Sequence, residues 1–128
     1  LCAEKLRRWI FDYLHGVFKD ERLTAVVTPT LAALPPRMPE KSGRETGESN
    51  TAEVMQMMKF IFLGNLLGMP GLTVPVDFDA PTGLPIGLHF LGNHWGEHEL
   101  LRIGHALESG LICGGDQPTR RRPSLFFG

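Results

Sequence analysis

The run from Asn65 to Gly92, NLLGMPGLTVPVDFDAPTGLPIGLHFLG, constrains the fold of this chain more than any other stretch. It holds four prolines and five glycines, and its carboxylates are Asp77 and Asp79. Regular strands avoid both residue types, because proline cannot donate to the ladder and glycine offers no side chain to pack. The run is therefore either a loop or a pair of strands shaped for something other than simple packing.

Two short strands joined by a turn are the favoured interpretation of this run. Residues 72–78 alternate around Pro75 and predict the first strand. The sequence DAPTG at 79–83 has the composition of a turn. Residues 84–91 predict the second strand, with Gly87 in its middle.

The beginning of the chain predicts an amphipathic helix that ends near Lys19 and Asp20. Its apolar residues recur at the spacing of a helix with a broad apolar face: Leu6, Trp9, Ile10, Tyr13, Leu14, Val17 and Phe18. The sequence LTAVVT at 23–28 is β-branched and uncharged, and Pro29 follows it. It predicts a short buried strand.

A second helix is predicted to begin at Asn50, whose side chain can cap the free backbone N–H groups, with Glu53 three residues on. This helix is rich in methionine and apolar nearly all round through residues 60–63. A helix of that kind is buried on all sides. Gly68 and Pro70 are expected to end it.

A third helix is predicted over 97–109, with Gly110 as its C-cap. The residues expected to face inward are Leu100, Leu101, Ile103, Gly104 and Leu107. The element order is then α-β-α-β-β-α, which is typical of a mixed α/β arrangement. We treat 1–128 as a single segment, with a mobile loop expected over 31–49 and an irregular tail over 111–128.

Charge and composition exclude several classes of function. The net charge of −1 gives no bulk attraction to nucleic acid, and the basic run Arg120–Arg122 is interpreted as a solvated tail rather than a phosphate contact. The longest apolar run, near 57–67, is too short to span a bilayer. Two distant cysteines form no disulfide framework, so an intracellular location, cytoplasmic or at a membrane periphery, is expected.

Spacing alone identifies no catalytic group. The serines lie in no nucleophile motif, and the glycines fit no phosphate-binding pattern. His94 and His98 are four residues apart, with His105 beyond them, but their order is not that of a zinc protease and a third ligand would have to come from elsewhere. Surface or capping histidines are the favoured interpretation, and we expect neither a metal nor a cofactor. His89 lies within a strand and is interpreted as partly buried.

Several short motifs follow one another along the chain. They are VTPT (27–30), NLLGMP (65–70), TVPV (73–76), GLPIGL (83–88), WGE (95–97) before LL (100–101), and RRP (121–123) before LFF (125–127). In this order they resemble the C-terminal region of the amidase signature family, and the closing residues are similar to its plant-type fatty acid amide hydrolase branch. Together they cover nearly the whole chain and are fairly specific, although no single motif is decisive.

The chain departs from the family pattern at a few positions. Gly71 stands where the family usually has alanine, and His89 stands where it usually has glutamine. Asn93 and His94 replace a common Arg-Pro pair. None of these is a catalytic position, so the departures bear on substrate range rather than on membership.

The resemblance implies the C-terminal part of the amidase signature fold, a mixed central sheet covered by helices. It also implies amide hydrolysis by a serine that is activated through a second serine and a lysine, with backbone N–H groups holding the oxyanion. Those residues lie upstream in the family and are missing here, so we expect no catalytic residue in this chain and no hydrolysis by it alone. The chain starts at Leu1, inside a helical pattern, which suggests a truncated or processed N-terminus.

By the same resemblance, four residues are candidates to line a substrate channel: Thr28, Leu72, Thr73 and Trp95. The alternative is that all four belong to a plain core. The implied partners are the upstream part of the same enzyme chain and an apolar acyl amide, with self-association through bare sheet edges as a further expectation. A non-catalytic structural or apolar-ligand-binding module of amidase origin is the alternative function.

Overall fold

A computed structural model describes residues 2–36 and 50–112 of the chain. The elements in chain order are α1 (Cys2–Asp20), β1 (Ala25–Pro29), α2 (Thr51–Met57), a 3₁₀ turn (Met58–Phe60), α3 (Phe62–Leu67), β2 (Gly71–Phe78), β3 (Pro85–Gly92), α4 (Glu97–Leu107) and a π-helical turn (Glu108–Ile112). The predicted α/β order is confirmed, with the second predicted helix divided into α2 and α3. Most of the predicted loop and tail, residues 37–49 and 113–128, lies outside the described residues.

The three strands form one antiparallel sheet in the order β1-β3-β2. The expected mixed sheet is thus represented, in the part of the chain that the structure describes, by antiparallel pairs alone. The register shifts between Pro75 and Asp77, where proline cannot donate to the ladder. In the turn between β2 and β3, the backbone N–H of Gly83 donates to the carbonyl of Asp79 at 2.7 Å, and Gly83 adopts a φ of +70°.

One face of the sheet carries the core. Val74 and Phe90 of the sheet pack with Leu100 of α4, and partly buried residues surround these three: Ala25, Leu72, Leu88, Ile103 and Leu107. Gly104 allows the close approach of α4 to β2, since a Cβ there would lie 2.7 Å from Cδ2 of Leu72. Helix α4 therefore covers this face by direct contact between backbone and side chain.

Helix α1 packs beside α3 and the turn that precedes α4. The guanidinium Nε of Arg7 donates to the carbonyl of Leu66 at 2.7 Å, and the ring of Phe11 lies 4.6 Å from that of His94. Phe18 is buried. The stripe Leu6, Trp9 and Tyr13 is exposed, so only part of the predicted apolar face of α1 is covered by the described residues.

The expected burial of the methionine-rich helix on all sides is wrong for the described part of the chain. Asn50 caps it as predicted, accepting the backbone N–H of Glu53 at 3.3 Å. The helix is then interrupted by the 3₁₀ turn, and the Met55 and Phe62 side chains are 68% and 64% exposed. Gly64 and Leu67 are the buried residues of α3, and a Cβ at Gly64 would lie 2.8 Å from Cδ1 of Leu91, so this helix meets the sheet along one side only.

Helix α4 differs from its prediction at two places. Leu100 is 3% exposed and Leu101 is 64% exposed, so only the first of these neighbours faces the sheet. Successive residues are about 100° apart around a helix, and the side of α4 that meets the sheet includes Leu100 but not Leu101. The helix also ends at Leu107 and continues into the π-helical turn, so Gly110 lies inside that turn and is not the C-cap.

Candidate functional site

The sheet face opposite α4 carries a row of polar side chains across all three strands. The register pairs Thr28 of β1 with His89 of β3, and His89 with Thr73 of β2. The Thr73 hydroxyl lies 3.2 Å from Nδ1 of His89, within hydrogen-bond distance. The imidazole fits beside Gly71, where a Cβ would lie 2.8 Å from its Cε1 atom.

The adjacent row on this face is Thr30, Gly87 and Pro75. The backbone N–H of Thr30 donates to the carbonyl of Gly87 at 3.0 Å, which extends the pairing of β1 with β3 by one residue. A Cβ at Gly87 would lie 2.6 Å from Oγ1 of Thr30 and 3.3 Å from Cγ2 of Thr73. The two threonine side chains therefore converge over the bare backbone of Gly87.

A cavity of about 700 Å³ opens next to this second row. The residues that line it are Pro29, Thr30, Leu31, Ala33, Leu34, Pro35, Thr73, Pro75, Leu84, Pro85, Ile86 and Gly87. Thr30 and Thr73 supply its polar side chains, and the other lining residues are apolar or glycine. Its size falls within the range of pockets that hold small organic ligands.

Two buried hydroxyl groups lie on this face. Oγ1 of Thr28 and Oγ1 of Thr30 are removed from solvent and have no hydrogen-bond partner among residues 2–36 and 50–112. Leaving a buried polar atom unpaired costs about 1–3 kcal/mol. Each hydroxyl is thus free to bond a group that the described residues do not provide.

A second cavity of about 350 Å³ lies along the edge of the sheet between β2 and α4. Its lining residues are Leu72, Thr73, Val74, Pro75, Leu101, Gly104, His105 and Glu108. Thr73 lies along both cavities. Strand β2 therefore separates an apolar cavity from a smaller one that carries an imidazole and a carboxylate.

Comparison with models of protein families shows to which family the chain belongs. The family model described as Amidase matches residues 1–101. This chain belongs to the amidase family. The resemblance to the amidase signature family is therefore confirmed.

Among curated proteins, the amidase segment is similar in sequence to plant fatty acid amide hydrolases. It is 40% identical over 126 residues to a fatty acid amide hydrolase of Oryza sativa subsp. indica, covering 98% of this chain and 19% of that protein. It is 36% identical over 127 residues to a fatty acid amide hydrolase of Medicago truncatula, covering 99% of this chain and 19% of that protein. The chain thus spans about a fifth of the length of these relatives.

Solved structures support the same fold. A glutamyl-tRNA(Gln) amidotransferase chain from Thermotoga maritima matches with a TM-score of 0.63 at 27% identity, covering 82% of this chain and 21% of that one. The structure of 6-aminohexanoate cyclic dimer hydrolase matches with a TM-score of 0.58 at 22% identity, covering 98% of this chain and 24% of that one. The second likeness concerns the fold alone.

The four predicted channel residues of the amidase segment lie in different places. Thr73 lines both cavities, and Leu72 lines the smaller one while packing on the core. Thr28 lies in the polar row next to the larger cavity without lining it. Trp95 lies beyond the opposite end of β3, is 88% exposed and has a φ of +63°. The structure therefore brings Thr28 and Thr73 to one face and leaves Trp95 apart from them.

Sequence reasoning misses Thr30 and Gly87 as site residues and predicts for His89 only partial burial. A signal for Thr30 exists, because it stands two residues after Thr28 and successive odd or even positions of a strand share a face. The sequence marks Gly87 only as a mid-strand glycine. Its role depends on which residues lie across from it, and that requires the register.

His94 and His98 of the amidase segment have ordinary structural contacts. Nε2 of His94 donates to the carbonyl of Leu67 at 3.1 Å, and Nε2 of His98 lies 3.5 Å from the carboxylate of Glu99. Among residues 2–36 and 50–112, no three metal-ligating side chains are grouped together. None of the helices in that part of the chain is long and apolar enough to cross a membrane.

Proposed function

We propose that this chain is the C-terminal segment of an amide-bond hydrolase that acts on fatty acyl amides, and that its sheet face opposite α4 lines the channel for the acyl chain. The observation that carries the proposal is the cavity of about 700 Å³ with apolar walls and two threonines. The likeness over nearly the whole chain to fatty acid amide hydrolases of rice and Medicago supports this substrate class.

The apolar walls suit an acyl chain because the free energy gained grows with every group removed from water. Each buried methylene contributes about 0.8 kcal/mol. The side chains of Leu34 and Ile86, which the described residues leave exposed, supply such a surface. A hydrolase with this channel prefers long acyl amides to short ones.

The catalytic groups belong to another part of the polypeptide in this proposal. The amidase relatives are about five times as long as this chain, which covers 19% of them. We place the serine nucleophile, its serine partner and the lysine outside this segment, so the 128-residue chain alone hydrolyses nothing. The segment completes the sheet and shapes the channel.

Kinetics on the native polypeptide that carries this segment test the proposal. Primary amides with saturated chains of increasing length are the substrates, and kcat/KM is expected to rise with chain length for the native polypeptide. The isolated 128-residue chain is expected to be inactive. A native polypeptide that hydrolyses short amides as well as long ones would contradict the fatty acyl specificity. Turnover by the isolated chain would contradict the placement of the catalytic residues outside this segment.

Ile86→Asp and Val54→Asp form a matched pair for the same assay. Both side chains are 42% exposed, but only Ile86 lines the larger cavity. A carboxylate at Ile86 is expected to reduce kcat/KM for long-chain amides at least tenfold, because placing a charge next to an apolar acyl chain costs free energy. The value of kcat/KM for short amides is expected to stay unchanged. Val54→Asp is expected to change neither rate. Equal losses of kcat/KM in both variants would show that the larger cavity does not bind the acyl chain.

The exposed stripe of α1 favours a second candidate, a non-catalytic module that binds a partner chain. Leu6, Trp9 and Tyr13 are all exposed, and the rings of Trp9 and Tyr13 stack with centroids 5.8 Å apart. Exposed apolar patches are typical of interaction surfaces. A native mass near 14.2 kDa, with cooperative unfolding of the isolated chain, would favour this candidate over the hydrolase segment.

A further inference from the structure

We propose that His89 is a positioning residue for ligand binding, which restricts the orientation of the Thr73 hydroxyl beside the larger cavity, and that Gly71 provides the space this arrangement needs. The inference rests on the proposed function, because the ligand it concerns is an acyl amide in that cavity. It adds to that function a residue that fixes the direction of a hydrogen bond to the amide group.

The first step is the location of the imidazole. His89 lies on the central strand, between Thr28 and Thr73, and on the face that bears the cavity. Its ring occupies the place of a side chain at position 71, since a Cβ there would lie 2.8 Å from Cε1 and 3.3 Å from Nε2. Gly71 therefore permits the ring position, and any larger residue would displace it.

The second step is the hydrogen bond. Thr73 Oγ1 lies 3.2 Å from Nδ1 of His89, and Thr73 also lines the cavity that Leu84 and Ile86 border. A threonine hydroxyl otherwise rotates freely, with one donor and two acceptor positions. The bond to Nδ1 occupies one of these positions and restricts that rotation, so that fewer orientations of the hydroxyl remain open to a ligand.

The third step is the consequence for a ligand. When Nδ1 accepts, the Thr73 hydroxyl donates to the ring and offers lone pairs to an amide N–H of the ligand. When Nδ1 carries the proton, the hydroxyl accepts and offers its own proton to an amide carbonyl. When it donates to the ring, Thr73 therefore presents only acceptor positions to the amide group, and when it accepts from the ring it keeps its proton and one lone pair for that group. The apolar chain of the ligand lies against the cavity wall. His89 itself does not line the cavity, so it acts through Thr73.

The test uses the native polypeptide, with hexadecanamide as the probe. Thr73→Val removes the hydroxyl and keeps the shape, and His89→Leu removes the partner that holds it. Each is expected to raise KM about three- to tenfold, the range of one net hydrogen bond, with kcat within twofold. The double variant is expected to be no worse than Thr73→Val, because both changes remove the same oriented bond.

Conservative variants separate positioning from folding. Thr73→Ser keeps the hydroxyl and His89→Gln keeps a side-chain hydrogen-bonding group at that place, so both are expected to recover most of the lost affinity. Equal KM for wild type and His89→Leu, or losses that add in the double variant, would overturn the inference while leaving the proposed function in place.

Absence of turnover by the wild-type polypeptide would instead contradict the proposed function. The dissociation constant of hexadecanamide, measured by calorimetry, then replaces KM in the same set of variants. If the dissociation constants of wild type and His89→Leu were equal, or if neither bound the probe, the inference would be overturned on its own terms.

Discussion

Gly71 of β2 lies diagonally across from His89 of β3, so closely that the Cβ of an alanine at position 71 would lie 2.8 Å from Cε1 of the imidazole. Both positions are ones at which the sequence is expected to depart from the amidase pattern. The two departures are thus in contact with each other. The ring on β3 takes up space that any side chain larger than that of glycine on β2 would fill.

A first prediction concerns this pair. Gly71→Ala is expected to destabilise the protein by about 1–3 kcal/mol, the usual cost of adding a group to a filled space. In a His89→Ser background the same change is expected to be nearly neutral, because the ring has gone. Denaturant unfolding of the four combinations measures the coupling, and equal costs of Gly71→Ala in both backgrounds would show that the contact does not limit stability.

A second prediction concerns the floor of the larger cavity. Gly87→Ala would place a Cβ 2.6 Å from the Thr30 hydroxyl, so Thr30 must move and a cost of about 1–3 kcal/mol is expected. Gly16→Ala is the matched control, because it has open space around it within α1 and is expected to stabilise by about 0.5–1 kcal/mol. Unfolding midpoints measure both. A neutral Gly87→Ala would mean that the threonines do not converge there.

A third prediction uses two neighbours on α4. Leu100→Ala is expected to cost about 2–5 kcal/mol because its side chain is buried against Val74 and Phe90. Leu101→Ala, on the exposed side, is expected to stay within about 0.5 kcal/mol of wild type. Urea denaturation of the two variants makes the comparison. A large loss at Leu101 would indicate that another part of the polypeptide covers this side of α4.

A fourth prediction concerns the start of α2. Asn50→Ala removes the side-chain acceptor of the Glu53 N–H and is expected to cost about 1 kcal/mol. Asn50→Asp preserves a capping oxygen and is expected to retain most of this free energy. Hydrogen exchange of the first-turn amides of α2 measures the effect locally. Unchanged exchange in Asn50→Ala would rule out a stabilising cap.

A fifth prediction follows from the exposed stripe on α1. The isolated chain is expected to self-associate, since Trp9 and Tyr13 present stacked apolar rings to solvent. Trp9→Lys is expected to lower the associated fraction, and Arg22→Glu, a charge change at an exposed residue outside the stripe, is expected to leave it unchanged. Sedimentation velocity measures the associated fraction. A monomeric wild-type chain would remove the basis for this expectation.

Local signals predict much of the fold. Asn50 with Glu53, Gly68 after α3, and the DAPTG sequence each specify a local geometry, and all three are observed. The predicted strands agree with the observed bounds to within two residues at either end. Such features depend on neighbours in sequence, which a single sequence contains.

The failures concern contacts between distant residues. The exposure of Phe62 and Leu101 depends on which side of each helix meets the sheet, and apolar composition does not specify that side. The site depends on register, because Thr30, Gly87 and Thr73 come from three segments that only the pairing aligns. The motif resemblance identifies Thr28 and Thr73 as candidates without placing them on one face.

The strand order β1-β3-β2 also has a consequence for how the sheet assembles. Strands β2 and β3 are joined by a short turn, so their pairing requires the closure of only a short loop. Strand β1 is far away in sequence, and a long loop must close before Ala25 pairs with Gly92. Until then, one side of β3 is an unpaired edge, open to strands of other molecules. We therefore expect the pairing of β1 to end the interval during which this edge of a newly made chain is exposed to aggregation.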